Sequence, residues 1–116
     1  MRVHLPWPPL GLSPNDRVHH MAKARATKKY RAACAFEAMA VGAHKAGNAT
    51  GLKVIFHPKA RGPVPDKDNC IAAFKAGQDG LADALRINDR DLNVTHEISA
   101  VRSGSVVVEI QFEEQA

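Results

Sequence analysis

Hydrophobic residues alternate with polar ones in some stretches of this chain and recur at helical spacing in others. Leu52, Val54 and Phe56 share one side of an expected strand over Leu52–His57. Val106, Val108, Ile110 and Phe112 share a face over Ser105–Phe112, opposite Val107, Glu109 and Gln111. Asn93–Val101 also alternates, and the turn Arg102-Ser103-Gly104 separates it from the last strand, so the two predict an antiparallel hairpin. Arg2–Leu5 predicts a short strand that Pro6-Trp7-Pro8-Pro9 stops, because proline cannot donate to a sheet ladder. The alanine-rich, proline-free stretch from about His20 to Ala46 predicts a long helix. A second helix is expected from Asn69 to about Arg86, where Ile71, Phe74, Leu81 and Leu85 fall within roughly 80° of one another.

The order β-α-β-α-β-β predicts a single α+β domain over residues 1–116, a small mixed sheet with two helices on one face. At 116 residues the chain has room for one modest core. Leu10–Asp16, with Gly11, Ser13, Pro14 and Asn15, reads as a loop, Gly47–Gly51 as a turn, and Glu113–Ala116 as a frayed tail. The start lacks a signal-peptide core and no run is long enough to span a bilayer, so a cytoplasmic protein with no membrane partner is expected. Cys34 and Cys70 have no metal-ligand spacing and fall in expected helices, which suits buried thiols in a reducing compartment. The six histidines show no zinc-ligand spacing either.

Charge changes the picture through its distribution. Sixteen Lys and Arg against twelve Asp and Glu leave a net charge of +4, which only permits a polyanionic partner. Arg17, Lys23, Arg25, Lys28, Lys29 and Arg31, however, crowd the start of the first helix, with Asp16 the only acid beside them. Cations there oppose the helix macrodipole unless an anion is bound, whereas a solvated face would account for part of the cluster. Lys59, Arg61 and Lys67 add to it from the loop before the second helix. Arg17, Lys23, Arg25, Lys28, Lys29, Lys59, Arg61 and Lys67 are therefore candidate phosphate contacts. Trp7, between prolines, either packs over the end of the core or stacks a base.

The candidate chemistry centres on Pro65-Asp66-Lys67-Asp68-Asn69. On extended backbone, carboxylates at i and i+2 point to one side, and Pro65 favours such an approach to the helix. Two acids there suit a hard divalent cation that keeps waters and takes substrate phosphate as a further ligand. The plainer alternative is an N-cap, which needs one acid; this loop offers two. Lys75 lies two turns along on the side of Asp68, with Asp79 and Asp83, and its plainer role is an i,i+4 partner for Asp79. Gly77 and Gly80 weaken the helix and mark a close packing contact, another subunit included.

Taken together, these residues resemble the RusA family of Holliday junction resolvases. Leu5-Pro6-Trp7-Pro8-Pro9 matches the family's opening, Asp66, Asp68 and Asn69 match its Asp-x-Asp-Asn signature, and Lys75 and Asp79 match the helix that follows. Asn88-Asp89 matches an acidic pair beyond that helix, and the resemblance spans nearly the whole chain. It implies a homodimeric, Mg²⁺-dependent endodeoxyribonuclease (Mn²⁺ being the other candidate ion) that cuts branched, four-way DNA junctions symmetrically. It further implies that Asp66, Asp68 and Asp89 are the catalytic, metal-holding acids, that Lys75 is the essential lysine, and that the protein works at the nucleoid. Two departures stand out: Asn88 replaces the first of two aspartates, and the lysine comes about one turn later than in some members, where Ala72 stands here.

A straight helix from Asn69 to Arg86 would separate its ends by ~27 Å, too far for Asp89 to join Asp68 in one chain. Two arrangements resolve this: a site shared across a two-fold axis, or a helix broken at Gly77 or Gly80. Rival functions are a non-catalytic DNA-binding module of the same fold, a metal-dependent nuclease acting on other branched DNA or RNA, and a structural partner whose acids are caps only.

Overall fold

The structure, a computed structural model, describes residues 1–14 and 16–114; Asn15 of the expected turn and Gln115 and Ala116 of the expected frayed tail lie outside the described residues. Its strands are β1 (Arg2–Pro6), β2 (Ala49–His57), β3 (Asn93–Ile98) and β4 (Ser105–Phe112), and its helices are α1 (His20–Ala40) and α2 (Lys67–Leu85). Short 3-10 turns at Ala43–Lys45 and Asp89–Asp91 follow the two helices. The strands form one mixed sheet in the order β1-β4-β2-β3, so the α+β domain with two helices packed on a sheet is as expected.

The strand pairing differs from expectation in one respect. β3 and β4 do not form a hairpin; β2 lies between them, parallel to β3 and antiparallel to β4. The physical reason is visible in β4, where Val106, Val107 and Val108 are all buried, the signature of an interior strand with a neighbour on each side. β3 instead exposes Asn93, Thr95 and Glu97, as an edge strand does. Residues 99–104 then cross the end of β2, where the Ser99 N–H donates to Phe56 O at 2.8 Å and the Gly104 N–H to Pro58 O at 3.1 Å.

One face of the sheet carries the core. Val3, Leu5, Leu52, Val54, Phe56, Val106, Val108 and Ile110 point into it and meet Tyr30, Cys34 and Ala38 of α1 and Phe74 and Leu81 of α2. The outer face is polar, with Arg2 paired to Glu109 and Lys53 to Glu97. Cys34 and Cys70 are both buried free thiols, and burial pushes Cys34 up to about 12. Trp7 packs over the end of the core at 74° and 6.2 Å from Phe56.

α1 ends six residues short of the expected Ala46, because Gly42 turns left-handed at φ +78° and closes the helix. α2 starts two residues sooner than expected and continues unbroken through Gly77 and Gly80. Those glycines face α1 of the same chain. A Cβ on Gly80 would sit 2.1 Å from the Arg31 carbonyl oxygen, and one on Gly77 would sit 2.8 Å from the rings of Tyr30 and Phe74.

β1 and β2 are each antiparallel to β4, so they point the same way, and β3 follows β2. Each of β1 and β2 leads into a helix that runs back over the sheet. Because each helix links two strands that point the same way, α1 and α2 run parallel, and they meet where Tyr30 and Cys34 face Gly77 and Arg31 faces Gly80. Both helix N-termini thus gather at the edge where β1, β2 and β3 end. Backbone N–H groups and dipoles there favour anions.

Candidate metal and nucleic-acid site

Asp66 occupies the N-cap of α2 with φ −62° and ψ 139°, yet its carboxylate makes no capping hydrogen bond. Asp68 falls in the first turn, exposed. Neither side chain forms a hydrogen bond or an ion pair among the described residues, so both carboxylates face solvent. The early helix start corrects the expected geometry: Asp68 stands on helical rather than extended backbone, and alternation along a strand no longer aligns the pair.

The loop that leads to them is fixed from outside. Arg102 donates through Nη2 to Gly62 O at 2.6 Å, tying residues 58–66 to the link between β3 and β4. On the inner side His96 stacks on Phe56 at 6.1 Å and 6°. Burial, and then the charge of Lys67, holds His96 below the usual imidazole value, so it is neutral at physiological pH. Neither residue carried a local sequence signal, because both act through tertiary contacts.

Twelve of the sixteen Lys and Arg residues bear on the site or on the ion pairs of the fold. Arg2, Arg31, Lys53 and Lys75 are in ion pairs within the chain. Arg31 belonged to the basic stretch, but it is taken up by Asp83 in a two-pronged contact at 2.6 and 2.8 Å. Arg17, Lys23, Arg25, Lys28, Lys29, Lys59, Arg61 and Lys67 are all exposed and in no ion pair among the described residues. They lie on the loop before α1, the first half of α1, the loop before α2 and its first residue, around the edge that carries Asp66 and Asp68.

Lys75 lies between the two acidic regions. It donates to Asp79 at 3.0 Å, the i,i+4 contact, and also to Asp89. Asp89 reaches it because Arg86 adopts a left-handed conformation (φ 56°) and the Ile87 N–H donates to Ala82 O at 3.1 Å, which turns the chain back along α2. Asn88 caps the short turn after α2, its side chain accepting from the Arg90 N–H at 3.2 Å. Among the described residues no three His, Cys, Asp or Glu side chains come together to hold a metal ion, so Asp66, Asp68 and Asp89 of one chain are not gathered. With α2 unbroken, the bent-helix arrangement is excluded.

Hydrogen bonds to Asp89 and then Asp79 raise the Lys75 ammonium above its ordinary value, and the bond from Lys75 lowers Asp89. The depressed Asp89 contributes stability above its unfolded value of 3.8 and loses it as pH falls through its lower folded value. The raised Lys75 contributes below 10.5 and loses its part as pH rises through its folded value. Asp89→Asn is thus expected to lower the melting temperature at neutral pH and to match wild type in strong acid. A gap that persists in strong acid would mean the effect comes from something other than this ion pair.

The fold and site define an α+β domain whose basic helix-start edge presents two unpaired carboxylates. No protein-family model matches the chain. It is similar to an uncharacterized protein of Xylella fastidiosa strain Temecula1, 40% identical over 115 residues that cover 91% of this chain and 72% of that protein. The chain belongs to the same family as the Xylella protein. No helix among the described residues is long and apolar enough to cross a membrane.

Proposed function

We propose that this protein is a metal-dependent endodeoxyribonuclease that resolves four-way DNA junctions by paired, symmetric nicks. The observation that carries the reading is the pair Asp66 and Asp68, without internal partners among the described residues at the start of α2, with the exposed Lys59, Arg61 and Lys67 in the segment that leads into it. A cap would use one carboxylate on the helix N–H groups, and here neither is so used. Their donor set fits Mg²⁺ or Mn²⁺, which bind through one or two carboxylates together with substrate phosphate. Asp66 and Asp68 would hold the ion, which when bound supplies Lewis-acid polarisation of a phosphate and a more acidic water.

The chain's own residues supply the rest. Lys59, Arg61 and Lys67 grip the DNA backbone beside the acids, and Lys23, Arg25, Lys28 and Lys29 extend the grip along α1. Lys75, kept protonated by its two aspartates, acts as a fixed positive charge and never as a base. Asp89 serves the acid pair of a second copy across a two-fold axis, which makes the enzyme a homodimer with shared sites. A dimer of such sites would choose a junction by spacing rather than by base sequence.

The test is cleavage of a synthetic four-way junction beside a linear duplex, with Mg²⁺ and with EDTA. Symmetric nicks in the junction alone, lost in EDTA, are expected. A second reading, a junction-binding module without catalysis, is favoured by one observation: Lys75 holds Asp89 away from the acid pair within the chain. Tight junction binding with no nicks in any divalent metal would establish that module instead.

A further inference from the structure

A cleft of about 260 Å³ opens beside the loop that leads into α2, bounded by Trp7, Pro9, Lys59, Arg61, Pro63 and Pro65. Pro65, in its wall, directly precedes Asp66, so the cleft ends where the acidic start of α2 begins. Its chemistry is two-sided. An indole and four prolines make rigid apolar walls, Lys59 and Arg61 stand exposed without ion-pair partners among the described residues, and the one acid of the lining, Asp16, is taken up by backbone N–H groups. Both sides are pinned before any ligand arrives. Asp16 accepts from the Gly11 N–H at 2.8 Å and the Ser13 N–H at 3.3 Å, which fixes the loop after Trp7. Arg102 fixes the opposite loop through Gly62.

The geometry points to a receptor for one unstacked nucleotide, its base against Trp7 and the prolines and its phosphates on Lys59 and Arg61. The volume lies below the range of drug-sized sites, which suits one base with its sugar and excludes a base pair. An aromatic wall accepts any base through its face, so the cleft selects for exposure of a base rather than for its identity. Inside a duplex both faces of a base are covered by its neighbours. Extrusion is least costly where a base is already unpaired or strained. The cleft therefore favours DNA with an open base step next to the phosphate that Asp66 and Asp68 approach. This inference rests on the nuclease reading and adds a requirement to it: the strand must be locally unstacked at the cut.

Trp7 is the chain's one tryptophan, so its emission reports on the cleft directly. The full-length protein is titrated in EDTA with end-labelled duplex carrying one unpaired base, and with the same duplex fully paired. Label anisotropy reads binding, and Trp7 emission reads the cleft. Quenching of Trp7 by roughly half with the bulged duplex alone, and about tenfold tighter binding of it, are expected. The exposed-site variant Arg61→Ala should weaken that preference while the melting temperature stays put. Equal binding of both duplexes with unchanged Trp7 emission would overturn the cleft and leave the nuclease reading standing. Failure to bind the bulged duplex, the paired duplex and a four-way junction would overturn both.

Discussion

Asp68→Asn is expected to lower the melting temperature by no more than about 3 °C, the loss of one charge at a helix start, and to slow junction cleavage by at least about 100-fold. The two halves of this result have separate causes. Asp68 is exposed and bonded to nothing among the described residues, so an isosteric amide there removes none of their contacts. It does remove the anionic oxygen that a hard cation prefers. A large drop in melting temperature would show that the acid is a structural cap after all. Full activity in the variant would remove the metal role of the pair.

Mixing variants extends this test to the shared site. If Asp89 of one subunit completes the acid pair of the other, a dimer of one Asp68→Asn chain and one Asp89→Asn chain has one site with both lesions and one with neither. Random exchange then restores about a quarter of the wild-type sites, read as single rather than paired nicks. A site built within one chain gives no recovery, because every chain carries a lesion.

Gly80→Ala is expected to cost about 3 kcal/mol and to lower the melting temperature by roughly 10–20 °C. Alanine at this position gains ~1 kcal/mol of helix propensity, so the sign depends on the packing. The new carbon would fall 2.1 Å from the carbonyl oxygen of Arg31 and 3.2 Å from the nitrogen of Ala35. Both obstacles are backbone atoms in the middle of α1, which cannot rotate aside as a side chain can. The helices must part, and the contacts of Tyr30, Cys34 and Phe74 loosen with them. A thermal melt followed by circular dichroism reads this directly, and a midpoint within about 2 °C of wild type would show that the helix contact yields easily.

Much of the architecture was legible in local pattern. The alternation in Leu52–Phe56 and Val106–Ile110 identified the buried face, and the stripe through Phe74 and Leu81 oriented α2. Strand order was not legible, because β3 alternates whether its neighbour is β2 or β4. The triple valine of β4 was the available sign that it lies inside the sheet. Gly77 and Gly80 announced a close contact, but the partner proved to be α1 rather than another subunit. Near the candidate site, the acids at the start of α2 and the run of cations before them could be read along the chain, but the helical backbone under Asp68, which undoes the i,i+2 alignment, could not. The diversion of Arg31 to Asp83 could not, since those residues are 52 positions apart. Nor could the return of Asp89 to Lys75, which depends on a left-handed turn at Arg86, a residue with no special preference for one.

The place of β4 has a consequence for how the protein is made. Arg2 pairs with Glu109 and Phe56 with Val106, so the first and second strands are joined only through the last. A nascent chain still lacking β4 can form α2 and the β2–β3 pair, but β1 has no strand to pair with. Folding of the sheet must therefore wait until β4 has emerged from the ribosome, and its rate should be limited by closure between β1 and β4. A nonsense mutation anywhere before Ser105 should yield a chain degraded in the cell, however complete its candidate catalytic residues are.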